Sequence, residues 1–401
     1  METKLTSARV FLFLQGPPGP LFRLLGEAMI AKGITVYRIN LSGGDWRDWS
    51  TDATDFTAPF SEWPVFVDRF LIEHSITDLL LFGDCRPYHV AAHGIAGARA
   101  VRIHVLEEGY LRPDWMTLEP DGVNARSTLS RDKAWFLEMA QTLPAEPVSE
   151  PITATFRRRA RDSFGYYKDV LLGWPRYRHY RSHRSSPLLV EFAGWIWKFL
   201  WERHRQSDAQ RTLRQLGGEP FYIFPLQLSG DYQIKAHSCF PDMRSAARYV
   251  MESFAAHAPP HVHLLLKTHP LDNVFVNWAY FARREARRMR IDGRLHCVNV
   301  GDLNDMARKA QGMACVNSTS ATIALAHGIP VCALGEAIYN IPGLTHQGHL
   351  DFFWSEPSAP EPGVFDAFRR VLVNRCLVRG GLASESAVSI LINSVLERLA
   401  V

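Results

Sequence analysis

The chain has 401 residues, 47% of them apolar, and a formal net charge of +4. That is enough apolar mass for two globular domains and excludes a disordered or collagen-like chain. The near-neutral total implies no polyanionic partner for the molecule as a whole, and six scattered cysteines without a C-x-x-C pair exclude a disulfide framework or a zinc site and fit a reducing compartment.

In chain order, the apolar runs predict strands at 10–14, 35–41, 78–82 and 101–106, with helices at 21–32, 61–74 and 88–100 between them. The pattern restarts at 221–225 and continues through strands at 263–267, 296–298, 312–316 and 331–334. Strand runs alternating with helices of this size predict parallel sheets covered on both faces, hence an α/β chain of two Rossmann-like domains facing a cleft. The expected boundaries are 1–150 and 216–350, with a helical insert at 151–215 and C-terminal helices at 351–401 packing back on the first domain. The N-terminal "METKLTSARVFLFLQGPPGP" is a poor signal peptide and nothing approaches the roughly 20 apolar residues of a membrane span. A cytoplasmic protein, soluble or peripheral on a membrane, is expected.

The polar clusters sit where strands end, which is where open α/β sheets place ligands. "QGPPGP" at 15–20 has only two glycines and three prolines without N–H groups, so it is a poor phosphate loop. In "VLEEGYLRPDW", Glu107 and Glu108 leave a strand next to Gly109, which would give room for substrate. One of the two is a candidate general acid or base, because neighbouring strand residues point to opposite faces; a surface acidic pair is the alternative. In "FPLQLSGDYQI", Asp231 lies within reach of Gln227 and Gln233 and is a candidate nucleophile, or a turn aspartate satisfying backbone N–H groups. Lys267 and His269, followed by Pro270, leave a strand, and Ser318, Thr319 and Ser320 open a helix; together they suit a phosphate. The histidines at 257, 261 and 263 are interrupted by prolines, and no metal site is expected.

Residues 156–205 carry twelve lysines and arginines against four acids, with Trp174, Trp195, Trp197 and Trp201 among them. A basic, indole-rich segment suits an anionic membrane surface, the alternative being a solvated connector; no recognition fold accompanies it that would bind nucleic acid.

Taken together, "FLFLQGPPGPLFRLL", "YRINLSGGDW", "FGDCRPYH", "LEEGYLRPDWMTLE", "PLQLSGDYQI", "KTHP" and "NSTSATIALAHGIPV" resemble the capsule polysaccharide synthesis/export family of KpsS/LipB type, over about residues 10 to 350. The family is related to bacterial sialyltransferases with an acidic-acidic-Gly motif and a His-Pro motif, matched here by Glu107-Glu108-Gly109 and His269-Pro270. The resemblance implies a GT-B-like, metal-independent glycosyltransferase without a resident cofactor. It would place a β-Kdo residue from CMP-Kdo on a lysophosphatidylglycerol acceptor in Gram-negative capsule assembly, peripheral on the inner membrane, in company with other capsule synthesis and export proteins.

In that reading Asp231 is the nucleophile of a retaining reaction and Glu108 the acid/base or acceptor-side carboxylate. Lys267, His269, Pro270, Ser318, Thr319 and Ser320 hold CMP in the second half. Gln15, Gly16, Glu107, Arg86, Arg112 and Gln227 meet the sugar or the acceptor, with Arg86 and Arg112 candidates for the Kdo carboxylate. The alternatives are a transferase for another CMP-ulosonic acid and a non-catalytic polysaccharide-binding or export component.

Overall fold

The computed structural model describes residues 9–147, 150–152, 156–182, 202–228, 234, 237–269 and 276–401. Its strands are β1 (Val10–Phe13), β2 (Thr35–Asn40), β3 (Thr54–Asp55), β4 (Asp78–Phe82), β5 (Arg102–Glu108), β6 (Trp115–Pro120), β7 (Phe221–Pro225), β8 (His263–Lys267), β9 (Leu295–Val298), β10 (Gly312–Cys315), β11 (Val331–Ala333) and β12 (Leu377–Arg379). They form a seven-stranded sheet of order β12-β6-β5-β4-β1-β2-β3 and a five-stranded sheet of order β11-β10-β7-β8-β9. The α/β class with two Rossmann-like sheets, expected for a GT-B-like chain, is what the chain adopts.

The first unit comprises Met1–Thr128, Ala145–His183 and Leu372–Val401. Strands β3, β2, β1, β4 and β5 run parallel. Their middle residues are buried and apolar (Phe11, Leu12, Leu79, Leu80, Leu81, Val105), as a sheet covered on both faces requires. Two antiparallel strands, β6 and β12, complete one edge. The sequence pattern misses β6 because it alternates polar with apolar residues and yet is buried from Met116 to Glu119: Thr117 and Glu119 are as enclosed as Met116 and Leu118. Glu119 tolerates burial by accepting hydrogen bonds from the Tyr110 and Ser127 hydroxyls.

The second unit comprises Leu129–Pro144 and Arg184–Val371. Its five strands are all parallel, and the central β7 is flanked by β8 and then β9 on one side and by β10 and then β11 on the other. Tyr222, Phe224, Leu264, Leu266, Val250, Phe254, Trp278 and Trp354 belong to one core beneath it.

The units depart from the expected domain boundaries in three places. Residues 129–144 belong with the second unit, and 145–183 with the first. The 351–401 tail divides at residue 371: the Glu385–Leu399 helix packs Val388, Leu391, Val395 and Leu399 against Phe11, Phe13, Leu25 and Met29 of the first unit, while residues up to 371 stay with the second. The basic insert is therefore not one body. Its first helix, Phe156–Leu172, is built into the first unit through Tyr166, and the turns that follow bury Tyr177. Trp195, Trp197 and Trp201 lie outside the described residues.

Candidate active site

The carboxyl edge of the first sheet is largely filled by its own side chains. Arg38 of β2 is buried among Asn40, the Leu14 carbonyl and the Asp45 carboxylate, 3.4 Å away. Ser42 caps the Gly43–Asp48 helix by accepting from the Asp45 N–H, and that helix presents Asp45 inward. Tyr166 of the 156–172 helix donates its hydroxyl to Asp45 Oδ1 at 2.9 Å. The helix comes this close because of Gly43, where a Cβ would lie 2.1 Å from the Asp169 carbonyl oxygen.

Gln15 belongs to this network, and its expected place on the wall of a sugar site is not what the structure shows. Its amide Nε2 donates toward Asp45 Oδ2, Tyr166 and Tyr180 at 2.9 to 3.1 Å, and only 2% of the residue is exposed. A side chain so enclosed and so fully bonded has no donor left for an acceptor. Gly16 is likewise taken up internally: a Cβ there would touch the Phe22 ring at 3.0 Å. Arg86 ties the end of β4 to the same loop, donating from Nη1 to the Gln15 and Gly16 carbonyls at 3.2 and 3.1 Å. In the same cluster His89 is wholly buried, its Nδ1 2.7 Å from the Gly83 carbonyl, and burial pushes it down to about 3, so it is a neutral structural imidazole.

Asp48, one turn beyond Asp45, accepts the Gly19 N–H at 2.9 Å, and burial pushes its carboxyl up to about 7. A carboxyl whose folded-state value lies above the ordinary one stabilises the fold in its protonated form. That contribution is complete below about pH 4 and is lost as pH rises through 7. Between about pH 5 and pH 8 the wild type should therefore lose more stability than Asp48→Asn, read as the shift in urea midpoint; equal shifts would mean that Asp48 titrates normally.

Glu108 has a different setting. It is the last residue of β5 and stands between two guanidinium groups, Arg112 Nη1 at 3.0 Å from Oε2 and Arg159 Nη2 hydrogen-bonded to Oε1. The three line a pocket of about 160 Å³ together with Trp115, Met116, Ile152 and Leu382. Glu107 faces the other way, toward Cys85, whose thiol is pushed up by burial first, then by Asp84, with Glu107 adding to both. One glutamate thus serves the pocket and the other does not. Gly109 does not make room for substrate: a Cβ there would lie 2.1 Å from the Trp115 carbonyl oxygen, so the space is filled by the return strand.

In the second unit, β7 and β10 leave the sheet side by side, and the chain crosses to opposite sides of β7 from there. This is the topological switch point at which doubly wound sheets bind ligands. Gln227 follows β7 and Asn317 follows β10, and they pair at that point: Gln227 Nε2 donates to Asn317 Oδ1 at 2.9 Å, and Asn317 N–H to Gln227 Oε1 at 3.2 Å. Ser318, Thr319 and Ser320 come next, partly exposed. Ser318 Oγ accepts the Ser320 N–H, and the Tyr339 hydroxyl donates to the Ser318 carbonyl. Lys267 ends β8, one strand further on, buried with Nζ donating to the Thr268 carbonyl at 3.1 Å; burial lowers its pKa. His269 is two residues beyond it, half-buried. At about 4.8 Å per strand, the β8 and β10 ends are about 10 Å apart. Asp231 and Pro270 lie outside the described residues.

The structure thus gathers Gln227, Lys267, His269 and Ser318–Ser320 on one edge of the second unit, and Glu108 with Arg112 in one pocket of the first. Sequence reading misses Arg159, whose only signal is membership of the basic run, and misses Asp45, Tyr166 and Asn317, whose roles come from contacts distant in the chain.

A family model described as capsule polysaccharide biosynthesis protein matches residues 77–382. The chain belongs to that family. It is 34% identical over 396 residues to the capsule polysaccharide modification protein LipB of Neisseria meningitidis serogroup A, covering 96% of this chain and 94% of that one. It is 32% identical over 381 residues to the capsule polysaccharide export protein KpsS of Escherichia coli, covering 92% and 96%. Among solved structures, the KpsC beta Kdo 2,7 transferase of Thermosulfurimonas dismutans aligns with 96% of this chain and 99% of that one at 13% identity, with a TM-score of 0.44. In this capsule-family chain the matched span runs from β4 to the loop after β12, and so includes both the Glu108 pocket and the edge at Gln227.

Proposed function

We propose that this capsule-family chain is a glycosyltransferase that moves a β-Kdo residue from CMP-Kdo to a lysophosphatidylglycerol acceptor at the inner membrane. The observation that carries the reading is the pocket at the end of β5, where Glu108 stands between Arg112 and Arg159 with an apolar wall behind. A carboxylate able to take a proton, beside cations able to receive an anionic sugar or headgroup, is the equipment that acceptor activation needs. The edge of the second unit at Gln227, Lys267, His269 and Ser318–Ser320 supplies donors for the CMP phosphate and ribose, with Thr319 and Ser320 beside the phosphate. The sugar itself rests on the motif resemblance.

The reaction has two displacements. The Asp231 carboxylate attacks the anomeric carbon, and the bond to the phosphate oxygen breaks with its electron pair leaving on CMP. The acceptor hydroxyl then attacks the same carbon from the face CMP left; its proton passes to Glu108 and the Asp231–carbon bond breaks, restoring the carboxylate. Two inversions give retention. Arg112 pairs with the Kdo carboxylate. CMP leaves as a stable anion and needs no metal in this scheme.

Incubating the protein with CMP-Kdo and lysophosphatidylglycerol should release CMP and give a Kdo-lipid, and Asp231→Ala should slow this by at least about a hundredfold. Release from CMP-sialic acid but not CMP-Kdo would reassign the donor. No CMP release with any lipid acceptor would leave a binding or export component, in keeping with the name of the Escherichia coli relative.

A further inference from the structure

The 156–172 helix is turned the wrong way round for a helix in water. A surface helix normally buries its apolar stripe and exposes its polar one. Here the polar face points into the first unit: Arg159 pairs with Glu108, Tyr166 with Asp45, and Asp169 with Arg47. The apolar side chains point out. Phe164 is 57% exposed, Leu171 38%, Leu172 69%, and Trp174 in the following turn 66%. At 100° per residue, positions 157, 161, 164, 168, 171 and 172 share one side of the helix. Arg157, Arg161 and Lys168 stand on it beside the apolar residues, all exposed, and it carries no acidic residue.

We propose that this outer face, Phe164, Leu171, Leu172 and Trp174 flanked by Arg157, Arg161 and Lys168, is a docking surface for an anionic lipid bilayer. The charge pattern selects that occupant. Apolar side chains enter the boundary between headgroups and acyl chains, an indole settles at that depth, and cations alongside meet lipid phosphates. The feature deepens the reading above, on which its purpose rests: the same helix that would lie on lipid holds Glu108 from its other side through Arg159. Arg159 is five residues from Phe164, about 7.5 Å along the axis, and a helix is about 10 Å across. A lipid headgroup at the outer face is then within about 15 Å of the Glu108 pocket.

The experiment is vesicle co-sedimentation of the full-length protein, with vesicles of phosphatidylcholine alone or of an equal mixture with phosphatidylglycerol, at low and at high salt. The wild type should bind the mixture, release at high salt and ignore phosphatidylcholine. Replacing Arg157, Arg161 and Lys168 by Gln together should weaken binding about a hundredfold, at about fivefold per cation. Replacing Phe164, Leu171, Leu172 and Trp174 by Ser together should weaken it at least about tenfold. The Gln variant should melt at the wild-type temperature, and because Leu172 and Trp174 are the most exposed of the apolar four, a Leu172→Ser, Trp174→Ser double variant keeps the test decisive where the fourfold Ser variant melts lower. Undiminished vesicle binding by both variants overturns the proposal. So does a wild type that ignores the mixture but forms a dimer that the Ser variant dissolves, because the face would then belong to a second copy of the chain. Transfer to detergent-dispersed acceptor is scored separately: its absence in the wild type counts against the transferase reading and leaves the vesicle result standing.

Discussion

Glu108→Gln should lower the rate of CMP release in the presence of acceptor by roughly 10²- to 10⁴-fold, the usual contribution of a positioned general base. The amide keeps the shape of the side chain, but its single oxygen can accept from only one of the two guanidinium groups, Arg112 or Arg159, while its NH2 faces the other, so the pocket should persist with a modest fall in melting temperature. Affinity for CMP should be unchanged, because the residues proposed to hold it lie on the second sheet, at Gln227, Lys267 and Ser318. A rate within tenfold of wild type would exclude Glu108 as the base. Arg159→Ala is the companion variant: Glu108 keeps Arg112 but loses one of its two positioning cations. A smaller loss, partly restored by Lys, is expected, together with a raised KM for acceptor.

Asp45→Ala should be the most damaging substitution for stability. Asp45 is the carboxylate facing the buried Arg38, and it also accepts from the Gln15 amide, the Ser42 hydroxyl and the Tyr166 hydroxyl. Removing it leaves a guanidinium without its charge partner in a site almost closed to water, which costs about 3–5 kcal/mol. For a unit of roughly 200 residues, that corresponds to a fall in melting temperature of about 10 °C. Asp45→Asn keeps one of the two acceptor oxygens and should cost less. Because Tyr166 holds the 156–172 helix down through Asp45, the Ala variant should also lose activity below its melting temperature, as Arg159 moves away from Glu108. A variant that melts near wild type would show that Arg38 is neutralised by other groups.

Strands were legible where apolar runs are continuous. The expected 78–82, 221–225 and 263–267 coincide with β4, β7 and β8, since each holds an unbroken apolar run (Leu79–Phe82, Phe221–Phe224, Leu264–Leu266) such as a strand buried on both faces requires. β6 and β12 were hidden for opposite reasons. β6 carries buried Thr117 and Glu119, which read as loop, and β12 is three residues set between two helices. The basic run at 156–205 illustrates the limit of charge counting. Arg159 and Arg176 are matched by Glu108 and Asp55, residues of the first unit distant in sequence, so a local excess of cations did not mean that all of them face outward.

The glycines show the same limit. "QGPPGP" and "EEG" both suggested space kept open for a ligand, yet Gly16 abuts Phe22 and Gly109 abuts the Trp115 carbonyl. A sequence records that a side chain is absent without recording what takes its place. The position of Glu108 was legible: it ends β5, as its motif implies, and its partner Arg112 is only four residues away. Local pairs can be read from spacing, whereas Gln227 with Asn317 needs the sheet order before it can be seen.

The strand β12 has a consequence for how the protein is made. It pairs with β6, and the 385–399 helix after it supplies Leu391 and Val395 to the core beside Phe11 and Phe13. The first unit therefore waits for residues 372–401 to emerge from the ribosome, whereas the second is complete at residue 371. During synthesis the order of maturation is reversed relative to the order of the chain. A chain truncated after residue 371 and released from the ribosome should display a protease-resistant second unit and a first unit still open to cleavage.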